Sequence, residues 1–196
     1  MKKALFPTLV LSALLTACAT NETAQSTASA EQSAAAKDSD SALMQAVLMC
    51  DDDAIRSLIE GGAEVNAVGK NGDTALMNAA PICSTDAVRL LIEKGAQVNT
   101  SAENGETALM FAAMAGRSDT ARILIDTGAS VNAATKDGIT ALMFAAMGGH
   151  ASTASLLIEK GADVNATATQ GRTALGFAQA RKHAEVVQIL RAAGAK

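Results

Sequence analysis

Apolar positions along this chain come back in the same order at a fixed interval. The most regular block, Gly105 to Asp137, reads GETALMFAAMAGRSDTARILIDTGASVNAATKD. Its first apolar run predicts a short helix from Ala108 to about Ala115. Thr107 is placed to cap that helix, because a hydroxyl before the first turn can accept an orphan backbone N–H. Gly116 ends it, since glycine enters the left-handed conformation of a helix C-terminus without steric cost. Ala121, Leu124 and Ile125 form a second stripe at helical spacing, with Ser118 or Asp119 as the expected cap. Gly128 closes this helix, and Val131-Asn132 leads through polar residues to a turn at Asp137-Gly138. The unit is therefore helix, turn, helix and extended turn.

The unit repeats. Gly72, Gly105, Gly138 and Gly171 stand 33 residues apart. Thr74, Thr107, Thr140 and Thr173 keep the same step, with Ser41 in the corresponding place upstream. Val65-Asn66, Val98-Asn99, Val131-Asn132 and Val164-Asn165 do so too, and Gly-Ala pairs at 62, 95, 128, 161 and 194 make five copies. A period of this length marks stacked units, none of which can bury its own apolar face alone. The ends of the array turn polar, as capping units require. Ser57 replaces a later Leu or Ile, Gln179 replaces Ala80, Ala113 and Ala146, and Arg191 replaces Ile92, Ile125 and Ile158.

The run G-x-T-A-L-M-x-A-A, a Gly or Gly-His turn and the closing G-A-x-V-N-A resemble the ankyrin repeat over residues 38 to 196. The family's T-P-L-H reads T-A-L-M at Thr74–Met77, Thr107–Met110 and Thr140–Met143. Met44, Met77, Met110 and Met143 thus form an apolar ladder where the family has histidine, which predicts a slightly looser stack. The resemblance implies an all-α solenoid of five 33-residue helix-turn-helix repeats with short β-hairpin turns, at about 38–68, 69–101, 102–134, 135–167 and 168–196. It also implies a monomeric, non-enzymatic interaction scaffold that binds a protein partner through its concave face and hairpin tips. The tip residues Lys70, Asn71, Asp73, Glu103, Asn104, Glu106, Lys136, Asp137, Ile139 and Arg172 vary around fixed glycines. Met49, Ile82, Met114 and Met147 are apolar on the helix side, where a purely solvated face would be polar. Both sets are the expected partner-binding residues. A net charge of −4 without clustered Lys or Arg argues against a nucleic-acid surface.

The first residues have another character. Lys2 and Lys3 precede an apolar run from Ala4 to Leu15 that is too short to span a bilayer and has the layout of an export signal. Leu15-Thr16-Ala17-Cys18 resembles the lipobox of bacterial lipoproteins. This implies a signal peptide over 1–17, lipidation of Cys18 and a mature chain starting there. Ala19 in place of Asp favours, by the same resemblance, an outer-membrane anchor with the domain in the periplasm. Residues 18–37, poor in large apolar side chains, are expected to act as a tether reaching roughly 25 Å.

Candidate chemistry is sparse, and no cofactor or metal is expected. Cys50 and Cys83 are 33 apart and invite a disulfide reading in an oxidising compartment. Stacked helices stand about 8–10 Å apart, however, beyond the roughly 7 Å limit for bridged Cα atoms. Two partly buried thiols are therefore expected. Asp51, Asp52 and Asp53 read as helix caps, since no loop gathers the oxygens a calcium site needs. His150 and His183 lack a third zinc ligand. Pro81, late in a first helix, either ends that helix early or reshapes its exposed face. The rival reading is an envelope redox or hydrolytic protein using Cys50, Cys83 or His150.

Overall fold

The computed structural model describes residues 41–196. The expected export signal, the expected lipidation site Cys18 and the expected tether lie outside the described residues. Among these, ten α-helices follow one another as five pairs: α1 (41–49) with α2 (Asp52–Glu60), α3 (Ala75–Ile82) with α4 (Thr85–Glu93), α5 (Ala108–Met114) with α6 (Ser118–Asp126), α7 (Ala141–Gly148) with α8 (Ala151–Glu159), and α9 (Ala174–Ala180) with α10 (Ala184–Ala192). First helices pack mainly on first helices, α3 on α5, α5 on α7 and α7 on α9, while the second helices form a parallel row outside them. The fold is the all-helical solenoid that the repeat implies.

Small residues set the spacing of the inner row. Ala79, Ala80, Ala112, Ala113, Ala145 and Ala146 are fully buried, so neighbouring backbones approach closely. Leu91, Leu124 and Leu157 fill the space between inner and outer rows and are also fully buried. The methionine ladder is closed: Met77, Met110 and Met143 are fully buried and Met44 is half-buried against the same core. At the ends, Ser57, Gln179 and Arg191 face solvent. Polar side chains therefore stand where a further unit would otherwise have to dock.

The helix starts divide into two kinds. Thr74, Thr140 and Thr173 cap α3, α7 and α9 by accepting the amides of Met77, Met143 and Gly176. Thr107 holds the same position before α5 without that bond, and Ser41 lies inside α1. Asp51 and Ser84 cap α2 and α4 by accepting the amides of Ala54 and Ala87. The expected cap of α6 at Ser118 or Asp119 is displaced by one residue. The N-cap is Arg117, which makes no side-chain cap because a guanidinium has no acceptor for a first-turn amide; it donates instead to the preceding pair. The helix of the second pair does not end early either: α3 continues through Pro81 to Ile82.

Each pair leads to the next through a hairpin. Single antiparallel bridges join Val68 to Thr74, Ser101 to Thr107 and Ala134 to Thr140. The fourth hairpin is instead a 3-10 turn over Thr169–Gly171. Successive tips are tied edge to edge. The amides of Glu103, Lys136 and Thr169 donate to the carbonyls of Asn71 (3.1 Å), Asn104 (2.9 Å) and Asp137 (2.9 Å).

Candidate partner-binding surface

Two kinds of joint hold the surface in shape. The first uses the asparagine of each Val-Asn pair. Asn99 donates through Nδ2 to the Gly128 carbonyl (2.9 Å) and accepts the Ser130 amide on Oδ1 (2.8 Å). Asn66 does this with Gly95 and Gln97, and Asn132 with Gly161 and Asp163, all at 2.8–3.0 Å. Asn165 closes the series on Gly194 and Lys196 at 3.5 and 3.0 Å. One side chain thus satisfies a donor and an acceptor at the helix end of the following pair.

The second joint lies at the turn inside each pair, and its chemistry varies along the stack. His150 Nε2 bonds the Met114 carbonyl (2.9 Å) and His183 Nε2 the Met147 carbonyl (3.1 Å). Arg117 donates to the Cys83 carbonyl (2.7 Å), and the Ser84 hydroxyl donates to the Asp52 carboxylate (3.0 Å). Glycine is required beneath both rings. Gly116 and Gly149 take φ of 70° and 75°, and an added Cβ would meet His150 Nδ1 at 2.5 Å or His183 Nδ1 at 2.6 Å. The histidines are structural pins.

The cysteines correct the sequence expectation: Cys50 and Cys83 form a disulfide across the first such turn, with Cα atoms 5.1 Å apart. Helix-axis spacing was the wrong measure, because both residues sit in turns beyond the helix bodies. Their backbones also differ, Cys50 at φ 52° and Cys83 extended at φ −81°, ψ 172°. Equivalent sequence positions are therefore not equivalent in space, and the side chains meet within bridging range. Cys83 is fully buried and Cys50 half-buried.

Against this frame the exposed apolar side chains stand out. Leu48 is 57% exposed, Met49 69%, Val68 63%, Ile82 49% and Met114 46%, whereas Met147 is half-buried. Leu48 and Val68 were not expected from sequence. Leu48 shares the register of Met114 and Met147, and this was the signal that could have found it. With Met44, Leu48 and Val68 line a groove of about 530 Å³ that also takes in Lys70, Asn71, Asp73 and Asn78. A second groove, of about 350 Å³, shares Asn71, Asp73 and Asn78 and continues to Glu103, Asn104, Glu106 and Phe111. Five of the expected tip residues are thus brought together there, with Lys70 alongside.

The remaining expected residues are scattered. Met49, Ile82 and Met114 lie outside these grooves, Lys136 and Asp137 are exposed on a later tip, and Ile139 packs against the core. The Arg172 guanidinium lies over the Phe177 ring, 5.0 Å from its centroid. The groups of the rival reading are all engaged: both thiols in the disulfide, His150 on a backbone carbonyl. Among the described residues no three of His, Cys, Asp or Glu converge as metal ligands. Asp126, on the outer row, is held below its usual carboxyl range by a hydrogen bond from Lys160, with Lys160 and Arg122 adding attraction.

A family model described as ankyrin repeats (3 copies) matches residues 43–135 and 128–196. No curated protein matches the chain in sequence comparison.

Proposed function

Because the chain belongs to the ankyrin-repeat family, we propose that it is a non-enzymatic scaffold, lipid-anchored at Cys18, whose hairpin tips and inner helices bind a protein in the periplasm. The supporting observation is the set of five exposed large apolar side chains, Leu48, Met49, Val68, Ile82 and Met114, on a stack whose other large apolar groups are buried or half-buried. Exposed apolar groups rimmed by charge are a common mark of an interface, and methionine adapts to a partner's shape. The lipobox-like Leu15-Thr16-Ala17-Cys18 supports the anchor.

Two experiments test the reading. Cys18→Ser should move the protein from the membrane to the soluble fraction; membrane partitioning that persists, with an unmodified N-terminus by mass spectrometry, refutes the anchor. Met49→Glu with Met114→Glu should abolish photo-crosslinking to the partner in intact cells and leave the melting curve in place. Crosslinking at the wild-type level with this double variant would move the interface elsewhere.

A further inference from the structure

We propose that the joined grooves at the second and third tips select an extended peptide segment with an aliphatic side chain and, two residues on, an Arg or Lys. This rests on the scaffold reading and specifies its ligand. The aliphatic half of the surface is the exposed Leu48 and Val68 with the half-buried Met44, around one groove. The cationic preference comes from Asp73, Glu103 and Glu106, three carboxylates around the adjoining groove. None of the three is in an ion pair among the described residues, and Lys70 is the one cation lining either groove. Asp73 is steadied by Asn78, whose Nδ2 donates to it at 2.7 Å.

The sequence register explains why the groove opens here. Phe111, Phe144 and Phe177 recur at one position of the first helix, and Asn78 stands at that position in the second pair. A shorter polar side chain replaces a ring, leaving Phe111 as one wall of the space. At the far end of the stack the equivalent ring carries Arg172 above it, so a cation of the protein's own already occupies that place. A ligand's guanidinium or ammonium would take the same position over Phe111 and gain both ring and carboxylates. In an extended strand, residues two apart point the same way about 6.5–7 Å apart. This suits an aliphatic group and a cation seated in two adjoining grooves.

The probe is a capped, fluorescein-labelled nonapeptide, Gly-Ser-Gly-Leu-Ser-Arg-Arg-Gly-Ser, followed by fluorescence anisotropy on the full folded domain. It should bind saturably, more weakly at high salt, and lose about tenfold with Glu103→Lys plus Glu106→Lys. Leu48→Ser, or Leu replaced by Ser in the peptide, should weaken binding severalfold. A peptide with Glu in place of both Arg should prefer the doubly Lys-substituted protein over wild type, a reversal that mere unfolding cannot produce. Equal binding of the Arg and Glu peptides to wild type overturns the proposal, as does no saturable binding of the Arg peptide up to millimolar concentration. If the Arg peptide fails while partner crosslinking still depends on Met49 and Met114, the scaffold reading stands and this ligand assignment falls.

Discussion

The two joints between neighbouring pairs solve the same geometric problem with opposite strategies. On one side of the stack, four asparagines at one repeat position make the same two bonds to the pair that follows. On the other, the equivalent turns are closed by a disulfide with a Ser84–Asp52 bond, then by Arg117, His150 and His183. The asparagine has to satisfy one amide and one carbonyl in a fixed frame, and a planar side chain with a donor and an acceptor does this uniquely well. Between the later pairs the turn has to reach one backbone carbonyl, which Arg or His can do, and between the first two a sulfur bridge closes it instead. Where two backbone groups fix the geometry, the residue type is fixed; where one does, it drifts.

Breaking the joints in turn tests this contrast. The disulfide carries the largest expected effect. It closes a loop of 33 residues, and the loss of chain entropy in the unfolded state predicts about 3–4 kcal/mol of stabilisation at 25 °C. Cys50→Ser with Cys83→Ser should therefore lower the chemical-denaturation midpoint, and reductant should do the same to the wild type but not to the variant.

A uniform joint should also be the less forgiving of the two hydrogen-bonded kinds. Asn132→Ala removes two bonds and leaves the Gly161 carbonyl and the Asp163 amide without this partner, which should cost about 1–2 kcal/mol. His150→Ala removes one bond and should cost about 0.5–1.5 kcal/mol. Urea melts of the pair check the ranking, and an equal or larger loss for His150→Ala would mean that the two joints bear load alike.

The smallest effect sharpens the comparison with a third contact, between the outer helices α6 and α8. Lys160 bonds Asp126 at 2.6 Å, and the Asp126 carboxyl is held below its usual range chiefly by that bond. A depressed folded value favours the ionised, folded state. The contribution is present above the unfolded value of about 4 and fades as the pH falls through the lower folded value. Lys160→Met should raise the Asp126 midpoint in a carbon-detected NMR titration. Its stability difference from wild type should vanish in strong acid. An unmoved Asp126 midpoint would show the contact to be ornamental in solution.

The sequence carried the stack well and the joints unevenly. Periodic glycines, threonine caps and the Leu91, Leu124, Leu157 register were readable because each is a local rule repeated several times. The Val-Asn pairs were visible as a pattern while their bonds were not, since both partners lie about 30 positions downstream in the next pair. The disulfide was misjudged because the left-handed backbone at Cys50 and the extended one at Cys83 depend on neighbouring turns and not on the period. The groove escaped notice for a related reason. It exists because Asn78 interrupts a phenylalanine series, and a gap in a pattern is harder to read than the pattern.

The disulfide also decides how the chain would bear tension. It ties residue 50 to residue 83, so a pull applied between the two ends passes across one sulfur bridge and bypasses α2, the first hairpin and α3. At about 3.4 Å per stretched residue, roughly 110 Å of contour stays locked away from the force. In a single-molecule extension trace, an intact bridge would shorten the total unfolding length by that amount, and a dithiol added during the pull would release it as one late step. The segment from α2 to α3 is then the last to lengthen, whereas α1 lies outside the bridge and is not shielded by it.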